Sequence, residues 1–146
     1  MNLRVQDTQL TSIGNAIRSK GETSGQLTFP DGFVTGINNL HQLKMTSDTF
    51  YLNAGNSSSY MQTGAFYKLK TLTNLYSQLL TNTNVSSGTI QINKVSLPGT
   101  GNDIICVMRI YGTNNITFYA QNTSQGTTQL GANQDILIEY TVTYYT

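Results

Sequence analysis

A chain of 146 residues can build one ordinary domain, or a very small one beside a moderate one. Only 10% of its residues are charged, against roughly 25% in soluble globular proteins, and Thr, Asn, Ser and Gln supply the polarity instead. The net charge is +1, and Arg4, Arg18, Lys20, Lys44, Lys68, Lys70, Lys94 and Arg109 are spread along the chain, so the clustered cations that nucleic-acid binding relies on are missing.

A net charge near zero with many uncharged amides and hydroxyls favours association, as in a subunit of an assembly. The single cysteine, Cys106, excludes an intrachain disulfide, and in the run IICVMRIY it reads as a small buried hydrophobe. The N-terminal MNLRVQDTQLTS lacks the apolar region of a signal peptide, and no apolar run approaches transmembrane length. The expectation is a cytoplasmically made protein without membrane insertion. Its sequons at Asn56, Asn84, Asn115 and Asn122 then follow from Asn/Thr/Ser richness and not from glycosylation.

In chain order, residues 8–20 fit a short amphipathic helix with Leu10, Ile13, Ala16 and Ile17 on one face. Asp7 or Thr8 caps its start, Arg18 and Lys20 complement its dipole, and Gly21 suits its end. Leu27-Thr28-Phe29-Pro30 reads as extended, because the residue before proline is pushed from helical geometry. Asp31 to Leu40 fits a second short helix, with Phe33, Ile37 and Leu40 on one face and Gly32 and Gly36 weakening it. Such a helix needs the first as a packing partner.

HQLKMTSD (41–48) reads as a connection, and strand and turn vocabulary follows. AGNSSSYMQTG reads as loop or edge. Residues 66–81 leave helix and strand open with a slight margin to helix, since leucine spacing favours it and Thr71, Thr73 and Asn74 oppose it. Ile90–Leu97 is a strand ended by Pro98-Gly99. Ile104–Tyr111, apolar on both faces, reads as a central strand in a hairpin with Ile116–Ala120. In the last strand Ile136, Ile138, Tyr140, Val142 and Tyr144 make one apolar face. The fold class is α+β: a helical module over 1–43, then over 44–146 a mainly antiparallel, jelly-roll-like β-sandwich of six to eight strands.

No catalytic constellation emerges. The single His41 has no neighbouring ligands, and the seven acids fall mostly in turns or caps. No GxSxG, P-loop or GxGxxG motif occurs, and a buried Cys106 would make a poor nucleophile. Asp103 and Asp135 are the one carboxyl pair a glycosidase reading could use, and nothing favours their meeting. The expectation is a non-enzyme without cofactor or metal. Recognition through tyrosines and amides remains, with Asn114, Asn115, Asn122 and Gln125 as the loop positions suited to a ligand patch, against a plain structural role for the strand tyrosines.

The segment Leu10–Leu40 carries Leu10, Ile13, Ala16, Ile17, Arg18 and Lys20, then Leu27-Thr28-Phe29-Pro30-Asp31-Gly32-Phe33 and Ile37. It resembles a module, LTxIAxAIRxK followed by LTFPxGF, of tail, fibre and minor structural proteins of tailed bacteriophages. It departs at Gly14, where alanine is more usual. The resemblance covers about a fifth of the chain and implies an attachment or assembly unit, a virion location and commonly a homotrimer. The expected function is a tail fibre or receptor-binding appendage that displays a β-domain to host-surface glycan. The alternatives are a head fibre or capsid-decoration protein without an obligatory ligand and, more remotely, a small glycan-processing enzyme. In the attachment unit Leu10, Ile13, Ile17, Phe29, Pro30, Phe33 and Ile37 are the expected assembly residues, the apolar ones burying together while the outer surface meets other virion proteins or sister subunits.

Overall fold

The computed structural model describes residues 7–21, 27–38, 40–112 and 115–146. The fold is α+β. Helices α1 (Asp7–Gly21) and α2 (Asp31–Asn38) come first, then strands β1 (Leu43–Asn53), β2 (Ser59–Met61) and β3 (Phe66–Leu72). Helix α3 (Leu75–Asn82) follows, and then β4 (Thr89–Ser96), β5 (Ile104–Tyr111), β6 (Asn115–Asn122), β7 (Thr128–Leu130) and β8 (Asp135–Tyr145). The chain divides into two compact units, Met1–Lys44 with Tyr145–Thr146, and Met45–Tyr144.

In the first unit α1 carries Asp7 in its first turn and Arg18 and Lys20 in its last, each sign at the helix end that favours it. The two helices meet through glycines. A Cβ on Gly14 of α1 would lie 3.2 Å from Phe33 Cζ, and one on Gly36 of α2 would lie 2.7 Å from Ile17 Cγ2. Each helix thus seats its large side chain over the other's glycine. The glycines counted as helix-weakening in isolation are the points of closest approach.

This contact narrows the expected apolar cluster. Ile17 and Phe33 are buried and Leu10 is half-buried, but Ile13, Phe29 and Ile37 are 48%, 65% and 53% exposed. The buried stripe of α1 runs through Leu10, Gly14 and Ile17, not through Ile13 and Ala16. Pro30 is exposed, follows a cis peptide bond, and accepts at its carbonyl from Val34 N at 3.1 Å, which opens α2. Gln42 and Thr146 exchange backbone hydrogen bonds of 3.2 and 3.1 Å, tying the last residue into this unit.

The second unit holds a three-stranded sheet in the order β1-β8-β4, another in the order β3-β6-β5, and the pair β2-β7. The partnerships β1–β8, β2–β7 and β3–β6 are nested, as in one long hairpin folded over on itself. This is the jelly-roll-like character of the sandwich. The core lies between the inner faces. Ile136, Ile138, Tyr140 and Val142 of β8 face it from one sheet, and Leu69, Ile104, Cys106, Ile116, Phe118 and Ala120 from the other. Met61 and Leu130 of the short pair and Leu75 and Leu79 of α3 complete it.

The nested ribbon turns two corners, and a buried asparagine sits at each. Past β1, Ala54 N donates to Gln134 O and Asn133 N to Asn56 O, both at 2.8 Å. The Asn56 amide donates to Gly131 O at 2.8 Å while its Oδ1 accepts from Gln134 N at 2.9 Å. Past β2, Gly64 N donates to Asn122 O at 2.8 Å and Asn122 N to Ala65 O at 3.1 Å. Where a ladder breaks to change direction, its freed N–H and C=O groups need other partners. The asparagine amide, donor and acceptor at once, supplies them.

Three expectations change. Residues 66–81 are strand and then helix: β3 keeps Leu69 inward, the break falls at Thr73-Asn74, and α3 buries Leu75 and Leu79. Tyr140, fully buried, donates its hydroxyl to Leu79 O at 2.9 Å and accepts from Asn82 Nδ2 at 2.9 Å, which fixes that helix on the sheet. The connection expected over 41–48 is strand from Leu43 onward, because pairing with β8 overrides the polar composition. Finally, Ile104–Tyr111 stands at the end of its sheet order, and Ile116–Ala120 lies within the central strand β6.

Candidate functional site: an aromatic and basic sheet face

Side chains alternate across a strand, so register decides which residues share a face. In the β3-β6-β5 sheet the outward rows are Phe66–Gln121–Ile105, then Lys68–Tyr119–Val107, then Thr71–Thr117–Arg109, and lastly Asn115–Tyr111. An irregularity between Lys68 and Lys70 keeps Lys68 and Thr71 on this same face while Leu69 turns inward. Lys70 instead donates to Asn53 O at 2.8 Å.

Arg109 lies diagonally over the face. Its Cζ is 5.0 Å from the Phe66 ring centroid and 5.3 Å from that of Tyr119, and the two rings meet edge to face at 6.4 Å. A guanidinium over aromatic faces is attracted by their quadrupoles and holds its plane. Tyr111 is hydrogen-bonded to Tyr119 and to Arg109, and both contacts favour its phenolate and draw its pKa below the ordinary tyrosine value. Tyr119, whose proton is held in the same bond, is shifted upward. Thr117, only 4% exposed although it points outward, lies beneath these long side chains and shares a 2.9 Å hydroxyl contact with Thr71.

Large apolar surface is nevertheless left open. Phe66, Tyr111 and Ile105 are 47%, 48% and 43% exposed. On a hydrogen-bonded sheet these groups are held rigidly, which lowers the ordering penalty of binding. The face can stack a flat apolar surface, offer two cations, and hydrogen-bond through phenols, Gln121 and Asn115.

The expected ligand loop fares unevenly. Asn122 is a correction: it is fully buried, its Nδ2 donates to Met61 O at 2.7 Å and Gly126 O at 3.0 Å, and its Oδ1 accepts from Ser124 N and Oγ at 2.9 and 2.7 Å. It has no free group for a ligand. Gln125 is exposed in the β6–β7 loop, and Asn115 is exposed at the end of the aromatic face beside Tyr111. Asn114 lies outside the described residues. The sequence reading missed Phe66, Lys68, Ile105, Val107, Arg109 and Tyr119 as a group. Its available signal was the two-faced apolar run IICVMRIY, whose outward half is this surface.

Cys106 is buried, and burial pushes its thiol up to about 12. His41 is exposed. Among the described residues no group of three or more His, Cys, Asp or Glu side chains is placed to hold a metal ion, and no helix is long and apolar enough to cross a membrane. Comparison finds no matching protein family, no similar curated protein and no similar solved structure.

Proposed function

We propose that this chain is a virion structural protein of a tailed phage, in which the helical unit docks the subunit into the particle and the β-unit presents a host-attachment face. The observation that carries the docking half is the economy of the helix contact. With glycines at the crossing, Ile17 and Phe33 bury, while Ile13, Phe29, Val34 and Ile37 stay about half exposed or more. Apolar side chains presented this densely on a short helical pair are surface made to be covered by another protein. The resemblance of Leu10–Leu40 to phage fibre and minor structural proteins supports the same reading. The β-unit contributes the aromatic and basic face, whose chemistry suits a sugar-bearing receptor.

The test is made in the full-length chain. Val34→Glu with Ile37→Glu places two charges on the exposed side of α2 without touching the glycine contacts. The expected outcome is loss of the protein from purified particles with an unchanged unfolding transition of the β-unit. Incorporation at the wild-type level refutes the docking assignment. Labelled particles viewed by electron microscopy read tail or head location from the same preparation.

A further inference from the structure

We propose that the outer face of the β3-β6-β5 sheet binds an anionic oligosaccharide, its rings laid along the face from Phe66 and Ile105 at one end to Tyr111 at the other and its oxyanion received between them by Arg109 and Lys68. The proposal rests on the attachment reading and assigns the chemical class of the receptor. Its first support is charge. The segments FYKLKTL, IICVMRIY and NITFYAQN that form the sheet contain no aspartate or glutamate. The salt bridge of Lys94 with Glu139 lies on the other sheet. Arg109 is therefore positioned by two aromatic rings rather than by a carboxylate. Beyond its contact with the Tyr111 phenol, the guanidinium with its five N–H donors has donors to spare for an oxyanion. Lys68, in register with Tyr119, adds a second cation beside it.

The second support is the mixture of surfaces. Sugar rings present apolar C–H faces and hydroxyl edges. The exposed aromatic and aliphatic side chains meet the former, and Gln121, Asn115 and the Tyr111 phenol meet the latter. A single-stranded nucleic acid fits less well. Such binding follows the backbone with a run of cations, and this face carries two. A second copy of the chain fits less well still, because an isologous contact sets a patch against itself. Here Arg109 and Lys68 would meet their own counterparts with no acid between them.

The experiment uses the full-length protein and isothermal titration with defined probes: trigalacturonate for a carboxylate source, 6-phosphomannotriose for a phosphate source, and neutral galactotriose and mannotriose as their uncharged counterparts. The expected result is binding of at least one acidic trimer, about tenfold or more tighter than its neutral counterpart, weakening as salt rises. Arg109→Gln and Lys68→Gln each reduce that binding severalfold while the unfolding transition stays in place, as expected for exposed substitutions. Which acidic trimer binds tells carboxylate from phosphate. Equal binding of neutral and acidic trimers overturns the anionic assignment and leaves glycan attachment standing. No binding of either acidic trimer at millimolar concentration overturns the proposal. So does comparable binding of oligo(dT), or a self-association abolished by Arg109→Gln. Host-cell adsorption of particles is scored separately: loss of acidic-trimer binding in Arg109→Gln with undiminished adsorption keeps the site and refutes the attachment reading.

Discussion

Asn122 separates a structural corner from a ligand contact. The Asn122→Ala change strips donors from Met61 O and Gly126 O and the acceptor from Ser124 N and Oγ. The Ser124 hydroxyl keeps its 2.7 Å contact with Thr128 Oγ1 and Gly126 O still accepts from Thr63 Oγ1 at 3.1 Å, so Met61 O and Ser124 N are the two groups that lose their side-chain partner. At about 1 kcal/mol net per bond, the loss is about 2 kcal/mol. For a chain of this size that lowers the unfolding midpoint by roughly 4–8 °C. The Asn122→Asp variant adds a signature that volume loss cannot imitate. It keeps the acceptor towards Ser124 but turns a carboxylate oxygen towards two carbonyls in a buried place. Both effects disfavour the charged form and raise the folded pKa above the unfolded value of about 3.9. A raised folded pKa means stability present below the unfolded pKa and lost as pH rises through the folded one. The variant's deficit relative to wild type therefore shrinks from pH 7 to pH 4. Urea unfolding followed by tyrosine fluorescence at the two pH values measures this. An Asn122→Ala loss under about 0.5 kcal/mol, within the range of ordinary surface changes, or an Asp deficit that grows on acidification, refutes the corner argument.

The glycine contact predicts an inversion of helix propensity. Alanine at an exposed helical glycine stabilises by about 1 kcal/mol, yet at Gly36 its Cβ would stand 2.7 Å from Ile17 Cγ2, a branch fixed close to the backbone. Gly36→Ala should loosen the helical unit, seen as faster amide exchange in α1 and α2, while Gly14→Ala, at 3.2 Å from the Phe33 ring tip, should be close to neutral; equal effects would contradict the geometry. For Cys106, burial holds the folded thiol near 12 against an ordinary 9.0. Its contribution is intact below pH 9 and lost between 9 and 12, because the unfolded chain releases the proton first. Urea midpoints at pH 8 and 10.5 should fall further in wild type than in Cys106→Ala, and native protein should resist thiol reagents at pH 8.

The inward pattern of the last strand was legible because period 2 over Ile136–Val142 has one physical cause, a sheet covered on one side. The boundary inside 66–81 was not, since leucines at 69, 72, 75 and 79 serve a strand and a helix in turn. Only Thr73-Asn74 marks the change. In the first unit the helices were readable and the interface was misjudged. Apolar residues were taken to face each other, whereas close packing of short helices favours a large residue over a small one. That put Gly14 and Gly36 inside and left Ile13, Phe29 and Ile37 outside.

The candidate site was hidden for a related reason. Its residues come from three strands and meet only after register is set, with Phe66 and Arg109 separated in sequence by nearly half of the β-unit. Loops were favoured because binding groups concentrate there, yet Asn122, expected in a loop, ends strand β6 and is consumed by the fold. In a sandwich whose corners need amides, a polar loop residue is a poor marker of function. An apolar or aromatic residue on the outward parity of a strand is a better one, because the core does not account for it. Ile105, Val107 and Tyr111 already satisfy that test in the one-dimensional sequence once β5 is known to be covered on its other side by Ile104 and Cys106. The absence of acids from all three strands then turns an unexplained apolar surface into one with a sign of charge.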